Sequence, residues 1–271
     1  MREVTFAAVQ YACGAPGSLG TAERLVREAA EAGAAVVVLP ALFETPYFCK
    51  TQEEKLLGLA RPVEENGVVD RFAQLASELG VVLTISLYEA DGPVAYASAV
   101  MIDADGAVLG THRQAHVPQR PGRAERFYFA PGGGFRAWDT AHGRFGIGLG
   151  HDARFPEAAR AMALMGAEAL LFPVAEVDAS FGTILAGHAL ANAVPVVAAN
   201  RTGFEAQRDV EATFPGGSAI LGAGGERLAD VGADEGIALA AIDLDEARDL
   251  RRASGLFGDR RPDLYGRLAR I

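Results

Sequence analysis

The chain has 271 residues, half of them apolar, and a formal net charge of −10. A chain of this length and composition can bury one large core, and its acidic balance argues against nucleic acid or an anionic membrane surface as a partner. No run is apolar and long enough to span a bilayer, and two cysteines, Cys13 and Cys49, do not make a disulfide framework.

In chain order, the N-terminus passes straight into the apolar run 4–9, so no signal peptide is expected ahead of the fold, and a cytoplasmic location is the simplest expectation. Residues 21–33 read as a helix: Leu25, Val26 and Ala29 recur at helical spacing and Gly33 stands as its cap. The Val-rich run 34–39 reads as a buried strand. A helix over 68–79 ends at Gly80, and a strand follows over 81–87. Runs 97–102 and 107–109 flank Asp103-Ala104-Asp105-Gly106, the signature of a hairpin. A strand is expected over 145–149, a helix over 156–166 with Pro156 in its first turn, and a strand over 169–173. A helix over 185–193 and a strand over 194–199 follow. A second hairpin joins 218–221 to 226–228 across Gly222-Ala223-Gly224-Gly225. The pattern closes with a strand over 237–243 and a helix over 244–250. Mixed hairpins and βα units fit sheets covered by helices. No linker or repeat divides the chain, so residues 1–271 are expected to form one domain.

Residues 144–157 read Arg-Phe-Gly-Ile-Gly-Leu-Gly-His-Asp-Ala-Arg-Phe-Pro-Glu: an apolar strand, a sharp turn, then a helix opening at Pro156. Corners of this kind raise a nucleophile at the end of a strand, yet this one carries Gly150. The surrounding motifs resemble the nitrilase (carbon–nitrogen hydrolase) superfamily, most closely its N-carbamoylputrescine amidase branch. They are Ala8-Val9-Gln10, the run Leu42-Phe43-Glu44-Thr45-Pro46-Tyr47-Phe48-Cys49, His116-Val117-Pro118 and Glu125-Arg126-Phe127-Tyr128-Phe129. Further matches are Phe155-Pro156-Glu157-Ala158-Ala159-Arg160, Val196-Val197-Ala198-Ala199-Asn200-Arg201 and Asp259-Arg260-Arg261-Pro262-Asp263-Leu264-Tyr265. The resemblance covers essentially the whole chain and implies an α/β fold, a four-layer αββα sandwich.

It also implies a Glu–Lys–Cys catalytic triad, whose positions here hold Ala41, Gln114 and Gly150. Cys13 and Cys49 match cysteines outside the catalytic role, and Lys50 and Lys55 lie far in sequence from the Lys position. A thioester route needs a thiolate activated by a base, so Cys-dependent hydrolysis is expected to be lost. Glu125 matches a second family glutamate near the reaction centre. With the neighbouring Lys replaced, its pKa is expected to rise, making it the first candidate for acid/base chemistry. His151, beside the open corner, is the second. The surrounding pocket is assigned His116, Asp152, Arg154, Gln119 and Tyr47, with Arg120 at the mouth. His116 matches a family residue of structural character, while His112 and His142 have no motif support. A metal site would need several converging ligands. His116, His151, Asp152 and Glu125 are conceivable but carry no recognised spacing, so no metal and no cofactor are expected. The stretch between Val174 and His188 is shorter than usual for the family, which suggests a more open pocket.

Three expectations follow. The chain is a repurposed enzyme that acts by acid/base chemistry on a small nitrogen-containing metabolite, with a biosynthetic pathway as its setting, or else a pseudoenzyme that binds a metabolite or regulates an active paralogue. The vacated positions leave an enlarged cavity lined by Ala41, Gln114, Glu125, Gly150 and His151. The partners are a small-molecule ligand and a second copy of the chain in a homodimer or larger assembly, built on the Ala-rich face of 156–166 and on the tail motif.

Overall fold

The computed structural model describes residues 1–178 and 180–268. The strands are β1 (Glu3–Gln10), β2 (Val36–Val38), β3 (Val82–Asp91), β4 (Val94–Ile102), β5 (Val108–Arg113), β6 (Gln119–Arg120), β7 (Arg123–Ala124) and β8 (Ala137–Thr140). They continue with β9 (Gly143–Ile147), β10 (Ala169–Pro173), β11 (Val196–Ala199), β12 (Thr202–Gln207), β13 (Val210–Pro215), β14 (Ala219–Leu221), β15 (Arg227–Asp230) and β16 (Gly236–Asp243). The helices are α1 (Ser18–Glu31), α2 (Gly67–Leu79), the single turn α3 (Glu125–Tyr128), α4 (Pro156–Leu164), α5 (Phe181–Asn192) and α6 (Leu244–Ala253).

One six-stranded sheet runs β16-β1-β2-β3-β4-β5 and the other β15-β14-β11-β10-β9-β8. In each, the central three strands are parallel (β1-β2-β3 and β9-β10-β11) and the outer pairs are antiparallel. Side-chain alternation explains the layering. Phe6 and Ala8 of β1 enter the core between the sheets, whereas Ala7 and Val9 enter the core beneath α1 and α2. On β10, Ala169 and Leu171 face the inter-sheet core, while Leu170 and Phe172 face the core that includes α4 and α5. Both faces of each central strand are apolar because both are covered, and the result is helices, sheet, sheet, helices, the expected αββα sandwich.

The helices follow from local signals. α1 buries Ala22, Leu25, Val26 and Ala29 on one stripe. The Asn66 side chain accepts from the Val68 N–H at the start of α2, and Gly80, at φ +67°, ends it. α5 begins four residues before the expected 185, because it is apolar all round and shows no stripe from which to read its first turn. The hairpin β12–β13 was not foreseen: Val210, Ala212 and Phe214 do alternate with Glu211 and Thr213, but the two-residue turn Arg208-Asp209 carries no glycine or Asn-Gly signal, and Arg208 itself takes the left-handed conformation, φ +53°. No helix among the described residues is long and apolar enough to cross a membrane.

Phe145 of β9 meets Phe6 of β1 edge to face, 5.5 Å between ring centroids, and both are fully buried between the sheets. Phe145→Ala is expected to destabilise the fold by about 3–5 kcal/mol in denaturant titration. A loss below about 1 kcal/mol would contradict the assigned inter-sheet core.

Candidate active site

The C-terminal ends of the parallel strands converge at one edge of the sandwich, where ligand sites of α/β sheets form. The chain leaving β2 places Ala41, whose N–H donates to the Val174 carbonyl beyond β10 at 3.1 Å and so ties the two sheets together. Leu42 follows in the left-handed region, φ +49°. A branched side chain rarely adopts it. The Leu42 N–H donates to Ser86 Oγ, and Arg201 Nη2 donates to the Leu42 carbonyl at 3.2 Å. Gln114 follows β5, and Gly150 follows β9 at φ +54°, opening the short 3-10 turn Gly150–Arg154 that leads into α4. The positive φ is the sharp corner that the sequence pattern implied.

Glu125 stands at the centre, 4 % exposed. One carboxylate oxygen accepts from the Tyr47 hydroxyl and from Arg123 Nη1 at 3.3 Å, and the other accepts from Gln114 Nε2 at 2.8 Å. Burial raises its pKa, against the opposing pull of Arg123 and of the Tyr47 and Gln114 hydrogen bonds. The expected rise is therefore present, but the carboxylate has not lost its cation: Arg123 supplies one. Arg123 also donates to the Ala175 carbonyl at 2.6 Å and lies 3.6 Å from Glu176. This buried arginine was not foreseen, although a basic residue two positions before Glu125 was a readable signal.

The expected enlarged cavity is corrected. Ala41, Gln114, Glu125 and Gly150 do surround one cavity, with Tyr47 and Arg123, but its volume is only about 10 Å³, room for about one water. Gln114 occupies the space beside Gly150: a Cβ on Gly150 would stand 2.7 Å from Gln114 Oε1. His151 does not line this cavity. It faces a separate open cleft of about 710 Å³ with His116, Arg126 and Phe155. Burial, then the nearby Arg120 charge, lowers the His151 pKa to about 4, so the ring is neutral at physiological pH.

Asp152 is a structural carboxylate. It is fully buried and accepts from His112 Nε2 and His116 Nδ1, each at 2.8 Å, and from the His116 N–H at 2.9 Å. Burial alone would raise its pKa, but these hydrogen bonds outweigh it and hold the group at about 2. His116 stacks on Phe155 at 3.6 Å. Asp152 thus ties the segment after β5 to the Gly150 corner, with His112 as a partner that no motif had marked.

The conceivable metal set does not converge. Asp152 is taken by His112 and His116, Glu125 by Tyr47, Arg123 and Gln114, and no metal-binding cluster occurs among the described residues. Gln119 is exposed on β6 and lines no described cavity, so its pocket assignment is corrected; Arg154 pairs instead with Glu176 and Asp178. The network Lys50–Glu205–Arg201, with contacts of 3.2 Å on each side, was also missed. Glu205 also accepts the Tyr47 N–H at 2.6 Å, fixing the tyrosine that holds Glu125. Both thiols are fully buried: burial raises the pKa of Cys13, and burial followed by the Glu125 charge raises that of Cys49.

The family model for carbon–nitrogen hydrolase matches residues 5–252. The chain is 42% identical to an N-carbamoylputrescine amidase of Solanum tuberosum, over 97% of this chain and 94% of the relative. It is 40% identical to a citrullinase of Francisella tularensis, over 93% of each. The crystal structure of a carbon–nitrogen hydrolase from Helicobacter pylori G27 superposes with a TM-score of 0.93 at 33% identity, covering 100% of this chain and 99% of that one. These relatives correct the expectation of a repurposed acid/base enzyme or a pseudoenzyme outside Cys-dependent amide hydrolysis. Chains this similar over nearly their whole length carry the names of amidohydrolases.

Two measurements check the electrostatics. The unfolded Asp152 carboxyl titrates near 3.8 and the folded one near 2. As pH falls through that interval the unfolded chain takes up a proton that the native carboxylate refuses, so the contribution of Asp152 is complete above about pH 4 and lost toward pH 2. Asp152→Asn is expected to lose on the order of 2 kcal/mol at neutral pH and to flatten this acid limb; an unchanged limb would contradict it. The His151 ring is expected to titrate near 4 by NMR, and a midpoint near 6.5 would place it in solvent instead.

Proposed function

Because the chain belongs to the carbon–nitrogen hydrolase family, we propose that it is an amidohydrolase acting on the carbamoyl or amide group of a small molecule at the Glu125 pocket. The observation that carries this reading is its similarity, over nearly the whole chain, to an N-carbamoylputrescine amidase and a citrullinase. Both names point to ureido compounds, R–NH–CO–NH2. Hydrolysis consumes one water, breaks a carbon–nitrogen bond and releases ammonia; the remaining carbamate loses carbon dioxide to leave the amine.

The residues support such a site in three ways. Glu125 has a raised pKa and sits among hydrogen-bond donors, which suits a group that takes and returns a proton. Tyr47 and Arg123 hold it in one orientation. Ala41, Leu149 and Ala175 give the cavity an apolar wall that strengthens these interactions. A carbamoyl group is larger than the closed cavity, so binding requires Gln114 or Arg123 to swing aside. Gly150 presents no side chain, so the attack on the carbonyl must come from a group outside residue 150.

The test is ammonia release from N-carbamoylputrescine and from citrulline by the purified protein. Release above the uncatalysed rate is expected, with Glu125→Gln slower by roughly 10²–10⁴. No release from either compound would overturn the reading.

A further inference from the structure

We propose that the open cleft outside Tyr47 and Arg123 receives the α-amino acid end of the substrate, with Arg120 taking its carboxylate and Glu211 its ammonium. The inference rests on the amidohydrolase reading for the carbamoyl end of the same molecule. It names which kind of ureido compound the site selects: an amino acid rather than a carbamoylated diamine.

Position is the first argument. A cleft of about 300 Å³ is lined by Arg120, Val177, Glu211 and Phe214, with Tyr47 and Arg123 as its inner wall. The same two side chains wall the inner cavity around Glu125. A ligand whose carbamoyl head reaches Glu125 past Arg123 therefore leaves its tail in this cleft. The volume lies at the small end of ligand sites, suited to a short chain with a polar end.

Charge is the second. Arg120 on β6 lies directly opposite Arg123 on β7. Like charges facing each other across a ladder are destabilising. Arg123 is balanced by Glu125 at 3.3 Å and Glu176 at 3.6 Å. Arg154, which also approaches this edge, is balanced by Glu176 and Asp178. Arg120 takes part in no ion pair among the described residues, and neither does Glu211 across the cleft; Lys50, Arg201 and Glu205, on the strand paired with that of Glu211, are satisfied by one another. Two separate hairpins, β6–β7 and β12–β13, thus present one unbalanced guanidinium and one unbalanced carboxylate to the same cleft. A ligand end bearing both an anion and a cation complements the two at once, with the planar guanidinium suited to a two-oxygen contact. The side chains of Val177 and Phe214 offer apolar surface to the methylenes between head and end. A diamine tail gains only Glu211 and brings its ammonium toward Arg120, which discriminates against it.

The experiment is isothermal titration of the purified full chain with citrulline, N-carbamoylputrescine and N-carbamoyl-β-alanine, together with ammonia release from the same samples. Citrulline is expected to bind about tenfold or more tighter than either of the others. Both proposed contacts are exposed side chains, so their substitution leaves the core intact. Arg120→Ala is expected to weaken citrulline binding by about tenfold and to leave N-carbamoylputrescine unchanged or tighter, while Glu211→Gln weakens both. Equal or tighter binding of N-carbamoylputrescine, no effect of Arg120→Ala on citrulline, or no binding of any compound would overturn the proposal. Turnover that favours the diamine sinks this inference and keeps the hydrolase reading. The predicted binding preference without ammonia release supports the cleft assignment and sinks the hydrolase reading instead.

Discussion

The arrangement of this edge of the sandwich follows from one buried carboxylate. Glu125 is almost without solvent, and an unpaired charge there would cost several kcal/mol. Tyr47, Arg123 and Gln114 converge on it, and each has to be held in turn. Arg123 is a second buried charge, which draws in Glu176, and Glu176 draws in Arg154 and then Asp178 at the surface. Tyr47 is fixed through its backbone by Glu205, itself locked between Lys50 and Arg201. The result is an alternating series of charges from core to rim, and such a network is sensitive to the loss of any one member.

The corner shows how neighbouring side chains share one confined space. Gln114 and Gly150 are mutually adjusted: the Gln114 amide reaches Glu125 with its nitrogen, and its oxygen fills the space that a side chain at 150 would need. A substitution at Gly150 would force Gln114 to give way, so these positions act as a unit. Around them the supports persist. Asp152 holds the approach from β5, Leu42 holds its left-handed turn, and Pro156 starts α4.

Much of the fold was legible in the sequence because most elements announce themselves locally. The Asp103–Gly106 turn, the Gly80 stop and the Pro156 start each mark a boundary found within a few residues of its expected place. α5 was shortened because apolar residues surround it, and β12–β13 was missed because its turn, Arg208-Asp209, lacks the residues that usually mark a tight hairpin. The site was legible as a set of positions rather than as geometry. Glu125, Tyr47 and Gly150 line one cavity, whereas His151 faces a separate cleft and Gln119 is exposed, since a strand–turn–helix pattern does not say on which side of the corner a neighbour emerges. The buried arginines escaped because an arginine in sequence usually reads as surface; only the packing reveals that Arg123 and Arg201 are buried partners of carboxylates.

The claim that the site is organised by a buried, hydrogen-bonded Glu125 is tested most directly by titrating that one group. Carboxyl-13C-glutamate labelling, with Glu125→Gln to assign the resonance, reports its pKa by NMR. The account predicts a midpoint above the ordinary glutamate value of 4.5, because burial outweighs the Arg123 charge and the Tyr47 and Gln114 hydrogen bonds. A midpoint at or below 4.5 would mean that solvent or the arginine dominates, and would contradict it.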